Sequence, residues 1–285
     1  MSLDLEEISF QELFEQLIAK EDKLEIRAFL NDLNISDVAE LIDQNEEYEA
    51  QIMAHLALHR AAKVFKILDV STQKRIIQSL PSNTAVELLN ELSPDDRTDF
   101  LEELPKEAIR DLIKLLDPEE RKITLAMLGY PEDSVGRIMT PDYVYVYEQN
   151  TVDEAFATIR KYAKNSETID VIYVINSKGE LVDDIRIRDI ILASPEKRMD
   201  ELIDGRVVAL HVHDDQEHAS QVFKMNNRVA LPVTDDQNIL LGIVTIDDIL
   251  WVANEEFSED MQKIGGTEAL NEPYLDIPIF KLFKK

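Results

Sequence analysis

The chain has 285 residues, with 30 Lys and Arg against 58 Asp and Glu, a formal net charge of −28, and no cysteine. That charge excludes a phosphate backbone as partner. The missing cysteines exclude disulfides, thiolate zinc sites and thiol nucleophiles, and a 45% hydrophobic content excludes global disorder. The acid is not a tail: residues 1–130 hold 28 acids and 14 bases, residues 131–285 hold 30 and 16. Such a surface attracts cations, divalent ones most. The opening Met1-Ser2-Leu3-Asp4-Leu5-Glu6 lacks the basic and apolar regions of a signal peptide, and no run of about 18 apolar residues spans a bilayer. The chain reads as soluble and from a reducing compartment.

Residues 9–130 contain no Gly before Gly129, and their apolar residues recur at helical spacing. Ser9-Phe10-Gln11-Glu12 predicts a capping box opening a helix from Phe10 to Lys20. Leu68-Asp69, Leu92-Ser93-Pro94-Asp95-Asp96-Arg97 and Leu116-Asp117-Pro118-Glu119-Glu120-Arg121 recur every 24 residues, with Leu80-Pro81 and Leu104-Pro105 between them. Each repeat predicts two short helices, with Ser93 or Asp117 as N-cap and Pro94 or Pro118 at the first helical position. One pair cannot cover its own apolar face, so neighbours stack into an α-solenoid. Asp95 and Asp99, at i and i+4, share a helix face. They serve either the helix dipole, as first-turn acids do, or a bound cation.

The pattern changes after Gly129-Tyr130-Pro131. Strands are expected at 143–146, 171–175 and 185–187, a helix over 151–163, and a second helix from Asp189. The order repeats: strand 207–212, helix 214–226, strands 230–233 and 241–246, then a helix from Asp247. Val174 matches Val233 and Asp189 matches Asp248, both at an offset of 59. The last helix carries Asp247, Asp248, Glu255, Glu256, Glu259 and Asp260 and ends at Gly265-Gly266. Like charges at i, i+4 each cost a few tenths of a kcal/mol, about 0.2–0.5, so several together call for a counter-charge. Hard divalent cations take oxygen ligands, and Mg2+ binds through one or two carboxylates while keeping waters. His55 with His59 and His211 with His213 read as packing or surface residues. No nucleophile–base arrangement or phosphate loop is present, so the chain reads as a non-enzyme.

Met139-Thr140-Pro141 followed by two βαββα units resembles a pair of cystathionine-β-synthase (CBS) domains, and the stretch Leu231-Pro232-Val233 … Gly242-Ile243-Val244-Thr245-Ile246-Asp247-Asp248 carries the likeness most closely. A helical solenoid ahead of such a pair resembles the cytosolic arrangement of the MgtE magnesium transporter and channel family. The resemblance implies an α-helical superhelix followed by α/β units: a helical N domain at 1–130, CBS domains at 131–202 and 203–253, and a connecting helix with a membrane-proximal start at 254–285. It further implies a magnesium-sensing region at the cytoplasmic face of the membrane, in which bound Mg2+ bridges acidic faces and favours a closed pore. The chain would be a homodimer through its CBS pairs and would work on its own transmembrane domain, with no nucleic-acid partner. The basic, amphipathic Ile277–Lys285 segment resembles the cytoplasmic flank of a membrane helix, so the chain reads as stopping just before that domain.

Carried over by local motif, the implied metal ligands are Asp95 and Asp99 in the solenoid and Asp248, Glu256, Glu259 and Asp260 in the connecting helix. Lys63, Trp251 and Asn227 stand where the family can place acids. CBS pairs also hold adenine nucleotides (ATP or AMP) through Gly-h-h-[Ser/Thr]-x-x-Asp, where h is hydrophobic and the Asp takes the ribose. Gly242, Thr245 and Asp248 fit in the second unit, whereas Asp183 and Arg186 replace the Gly and Ser/Thr ahead of Asp189 in the first. The implied nucleotide contacts are Asp189, Arg188, Pro232 and Thr245. The alternative function is an adenine-nucleotide-sensing CBS module of another transporter or enzyme.

Overall fold

A buried leucine closes most of the helices in the first half of the chain. The computed structural model describes residues 10–20 and 22–254 and divides at Tyr130/Pro131 into two compact units. Among the described residues of the first unit the α-helices are α1 (Phe10–Lys20), α2 (Lys23–Asp32), α3 (Ile35–Gln44), α4 (Glu49–His55), α5 (Leu58–Ile67), α6 (Val70–Ser79), α7 (Ser82–Glu91), α8 (Pro94–Glu102), α9 (Lys106–Leu115) and α10 (Pro118–Met127). Ser9 lies outside the described residues, so the expected capping box is not placed.

From α4 onward the 24-residue repeat resolves into halves of 12. Leu56, Leu68, Leu80, Leu92 and Leu116 each follow a helix in extended conformation, with ψ between 146° and 152°. All five are buried. The next residue opens the following helix, so a corner needs only two residues. At Leu80-Pro81 the proline ring itself disfavours helical ψ in the leucine before it. Helices two apart in sequence then pack together: α3 on α5, α5 on α7, α2 on α4, α4 on α6 and α8 on α10. They share one apolar core running from Phe14 to Leu116, in which Phe65 and Phe100 meet edge to face at 5.1 Å.

Short helices leave carbonyls without partners at every C-terminus. The repeat answers with one residue eight positions downstream of the orphan. Gln73 donates to the carbonyl of Phe65 at 2.8 Å, Arg97 to Leu89 at 3.2 Å and Leu92 at 3.1 Å, and Arg121 to Ile113 and Leu116 at 3.0 Å each. Arg97 is completely buried and reaches on to Thr124 Oγ1 at 2.9 Å and to the Glu120 carboxylate. Ser93 and Asp117 occupy the expected N-cap positions but make no side-chain cap bond. The proline after each removes a donor, and Ser93 Oγ instead donates to Asp96 Oδ2 at 2.5 Å.

In the second unit α11 (Val135–Ile138) precedes β1 (Tyr145–Tyr147), α12 (Val152–Tyr162), β2 (Val171–Ile175), β3 (Leu181–Arg186) and α13 (Ile187–Leu192), and then β4 (Leu210–His211), α14 (Gln216–Asn226), β5 (Ala230–Thr234) and β6 (Leu240–Thr245). A further helix occupies 246–254. The strand orders are β1-β2-β3 and β4-β5-β6, with the first pair of each parallel and the second antiparallel. Several boundaries differ from the sequence reading. Ile187 and Ile246 start helices instead of ending strands, and only Leu210–His211 of 207–212 pairs as a strand. Just before it, the backbone of Asp204 and Gly205 is engaged by Asp183, as described below. Thr151 builds the capping box that opens α12 with Glu154.

The 59-residue offset runs through the backbone. The hairpin shifts register at Val174/Ile175 and again at Val233/Thr234, and Asn238 (φ 60°) takes the left-handed turn position that Gly179 (φ 85°) takes in the first half. Equivalent residues Glu180 and Ile239 bridge to each other, flanked by Leu181 N–H to Asn238 O at 2.9 Å and Leu240 N–H to Gly179 O at 3.2 Å. A pseudo-two-fold axis therefore passes between the halves. Val171, Tyr173, Ile175 and Leu181 pack there with Ala230, Leu240 and Ile243.

Two stability measurements check this reading. Arg97→Ala strands buried carbonyls and the Glu120 carboxylate and should cost about 3 kcal/mol or more, whereas Arg121→Ala, at the half-buried end repeat, should cost about 1 kcal/mol. Equal losses in denaturant unfolding would contradict the capping ladder. At the α6 N-cap, burial opposes ionisation of Asp69, but donors from Ser71 and Thr72 overcome it and bring the pKa down to about 2. Between its ordinary value of 3.8 and about 2 the unfolded chain takes up a proton that native Asp69 refuses, so the stability it gives is present above pH 4 and lost as pH falls towards 2. Asp69→Ala should cost about 1 kcal/mol at neutral pH and little near pH 2.

Candidate functional site

The metal candidates of the first unit sit on α8. Ser93-Pro94 starts that helix, which places Asp95 and Asp96 in its first turn, where the unpaired N–H groups favour carboxylates. Asp95 is buried, Asp96 half-buried and Asp99, one turn on, exposed. Lys66 from α5 sets its Nζ 3.1 Å from Asp96 Oδ1, adding a protein-borne cation to the Ser93 contact. The sequence reading left Asp96 out of its ligand set. The structure places it among the acids of this turn, and its position next to Asp95 was the available signal.

In the second unit Asp248 lies at the start of the 246–254 helix. The Thr245 hydroxyl donates to Asp247 Oδ1 at 2.5 Å and to Asp248 Oδ2 at 2.7 Å. One hydroxyl proton serves one acid at a time, so the two carboxylates are gathered around a single shared donor. Glu256, Glu259 and Asp260 lie outside the described residues, as do Glu255, Gly265-Gly266 and the Ile277–Lys285 tail. The donor set on the described residues is carboxylate oxygen throughout, which fits a hard cation. Two of the histidines are engaged elsewhere: His55 Nδ1 meets the Gln51 carbonyl at 2.7 Å, and His211 Nε2 meets Asp236 at 3.0 Å.

The nucleotide candidates divide between the halves. Asp189 is exposed at the start of α13 with Arg188 Nε 3.8 Å away, while Pro232 is buried in β5 and Thr245 ends β6. In the second half the motif glycine is required by packing. Thr140 and Ile243 exchange backbone hydrogen bonds at 2.8 and 2.9 Å, so the Met139-Thr140-Pro141 segment runs directly over β6. A Cβ on Gly242 would stand 2.8 Å from the Thr140 oxygen and 3.1 Å from Met139 Sδ. In the first half Asp183 takes that position, and its buried carboxylate accepts from the N–H groups of Asp204 at 2.8 Å and Gly205 at 2.9 Å. Sequence reasoning missed a further feature of this half, an ion pair between Asp184 Oδ2 and Arg228 Nη1 at 2.5 Å. Applying the 59-residue offset to those two positions would have flagged it, since their counterparts, Ile243 and Ile169, are both apolar.

Comparison with known proteins follows this division. Residues 33–133 match the MgtE intracellular N domain, and residues 135–196 and 200–255 each match the CBS domain. The cytosolic domain of the Mg2+ channel MgtE, solved in complex with ATP, superposes with a TM-score of 0.80 at 34% identity, over 84% of this chain and 98% of that one. The chain belongs to the MgtE family. The soluble part of a magnesium transporter likewise gives a TM-score of 0.80, at 28% identity over 87% of this chain and 98% of that one. Among curated relatives, magnesium transporter MgtE of Thermus thermophilus is 34% identical over 258 residues, 89% of this chain, and that of Bacillus subtilis 31% identical over 244 residues, 85% of this chain. The chain spans 57% and 54% of their respective lengths. No helix among the described residues is long and apolar enough to cross a membrane.

Two substitutions test the local geometry. Gly242→Ala forces Thr140 and Met139 off β6 and should destabilise by about 1–3 kcal/mol. Thr245→Val removes the donor shared by Asp247 and Asp248 and should cost about 1 kcal/mol in thermal unfolding. A neutral Gly242→Ala would contradict the close crossing.

Proposed function

We propose that this chain is the magnesium-sensing regulatory region of an MgtE-family transporter. In this reading Mg2+ is shared between carboxylates of the solenoid, Asp95 and Asp99 with Asp96 beside them, and those of the connecting helix, Asp248, Glu256, Glu259 and Asp260, and its binding favours the closed pore. The observation that carries the reading is the donor set: acids gathered in the first turns of α8 and at the Thr245 corner, on a chain of net charge −28. Two carboxylates about 4 Å apart repel by about 4 kcal/mol at an effective dielectric near 20, before screening. A divalent ion reverses the sign of that interaction, whereas monovalent salt only screens it. The partner acted upon is a transmembrane domain of the same protein, at the cytoplasmic face of the membrane.

The same reading makes the chain a homodimer through its CBS pair. Ile191 and Leu192, at the end of α13, are 61% and 76% exposed. Their counterparts 59 residues on, Leu250 and Trp251, are 62% and 58% exposed. Two matched apolar pairs related by the pseudo-two-fold axis suit an isologous contact, in which each patch meets its copy. An adenine-nucleotide-sensing module is the second reading, and the retained Gly242, Thr245 and Asp248 pattern favours it.

Thermal unfolding separates the two readings. Mg2+ at 100 times its dissociation constant should stabilise the chain by about 2.7 kcal/mol beyond sodium of equal ionic strength. Asp95→Asn with Asp99→Asn should remove most of that gain while leaving the metal-free melting temperature unchanged. A chain stabilised by AMP or ATP and indifferent to Mg2+ would instead support the nucleotide reading. Leu192→Asp with Leu250→Asp should convert a dimer into a 32.7 kDa monomer by light scattering. A wild type that is monomeric at high protein and Mg2+ concentration would remove the dimer.

A further inference from the structure

Three residues of the first CBS half break the pattern by which such pairs hold adenine nucleotides, and each has a structural use of its own. Asp183 ties its carboxylate to the N–H groups of Asp204 and Gly205. Arg186 puts a long, exposed cation where the pattern has a short hydroxyl. Asp184 stands opposite Tyr173 in the β2–β3 pairing, on the face turned towards the second half. There Arg228, which follows the left-handed cap Asn227 of α14, brings its guanidinium across from the second half to within 2.5 Å. The side chains of Asp184 and Arg228 are 5% and 19% exposed. Tyr173 is wholly buried beside them, and its hydroxyl has no hydrogen-bond partner. In the second half the counterparts of Asp184, Arg186 and Arg228 are Ile243, Thr245 and Ile169. One half therefore keeps the neutral, short-side-chain pattern, and the other replaces it with an ion pair spanning the pseudo-two-fold axis.

We propose that the Asp184–Arg228 pair is an internal latch that closes the first-half cleft to adenine nucleotides, so that Asp189 and Arg188 hold none in this chain. Seating a base and ribose beside β3 would require the guanidinium to swing away. That movement would leave the Asp184 carboxylate buried and unpaired, next to the incoming phosphates it repels. Arg188 does not offset this, because it is exposed and already 3.8 Å from Asp189. The latch also joins the two halves independently of any metal, so its failure and that of the magnesium reading are separable.

Isothermal titration of the whole chain with AMP and with ATP, each with and without excess Mg2+, tests the proposal. The wild type should show either no saturable binding at millimolar nucleotide or binding that Asp189→Ala leaves unchanged and Asp248→Ala removes. Replacing the latch with its second-half counterparts, Asp184→Ile with Arg228→Ile, removes both charges together and strands neither. That variant should gain saturable binding, which Asp189→Ala then abolishes. Wild-type binding weakened about tenfold or more by Asp189→Ala would overturn the proposal. So would a variant that melts as cooperatively as the wild type yet gains no binding. If the variant does not fold, the comparison of wild type with Asp189→Ala decides alone.

Discussion

Acids outnumber bases almost two to one in both units, and several of the bases are engaged within the fold instead of on its surface. Arg97 and Arg121 cap helix carbonyls, Arg75 holds the buried Glu49, Arg228 holds Asp184, and Lys66 sits against Asp96. Each contact satisfies a group that burial would otherwise penalise. Each also withdraws a positive charge from general duty at the surface. Residues 1–130 and residues 131–285 each carry net −14, so in both units the acids outnumber the bases that could neutralise them. In the proposed reading a divalent cation supplies the missing charge at a few defined points, and so ties the uneven composition to regulation.

Two internal repeats shape everything else. The 12-residue step makes each solenoid helix short, so the fold depends on what happens at corners: a buried extended leucine and, at alternate corners, Gln73, Arg97 or Arg121 on the carbonyls left behind. The 59-residue step makes two near-identical βαββα halves, down to the hairpin register shift and the left-handed turn residue. They disagree at Asp183, Asp184 and Arg186 against Gly242, Ile243 and Thr245, and there Asp184 belongs to a charge pair where the second half has the apolar Ile243.

Much of this was legible in the residues. Glycine-free helical spacing gave α1 and the solenoid, and β-branched runs gave β2 with its ends in place. The misplaced boundaries share a cause. The pattern of apolar residues runs on smoothly through Ile187 and Ile246, while the hydrogen-bonding partner stops one residue earlier. Just ahead of the expected strand 207–212, the backbone of Asp204 and Gly205 is held by a side chain, Asp183, which no local pattern announces. Charge pairs between distant positions were the least readable feature. Asp184 and Arg228 are 44 residues apart, and only the fold brings β3 beside the end of α14. Acids at i, i+4, by contrast, could be read directly as candidate ligands, because helical geometry alone fixes their spacing.

The central claim is that divalent cation, and not ionic strength, draws two mutually repelling acidic units together. Small-angle scattering of the wild type in millimolar Mg2+, compared with sodium of equal ionic strength, tests it most directly. The account predicts a smaller radius of gyration in Mg2+, with the difference abolished by Asp95→Asn together with Asp99→Asn although both proteins stay folded. Identical radii of gyration for the wild type in the two salts would contradict it.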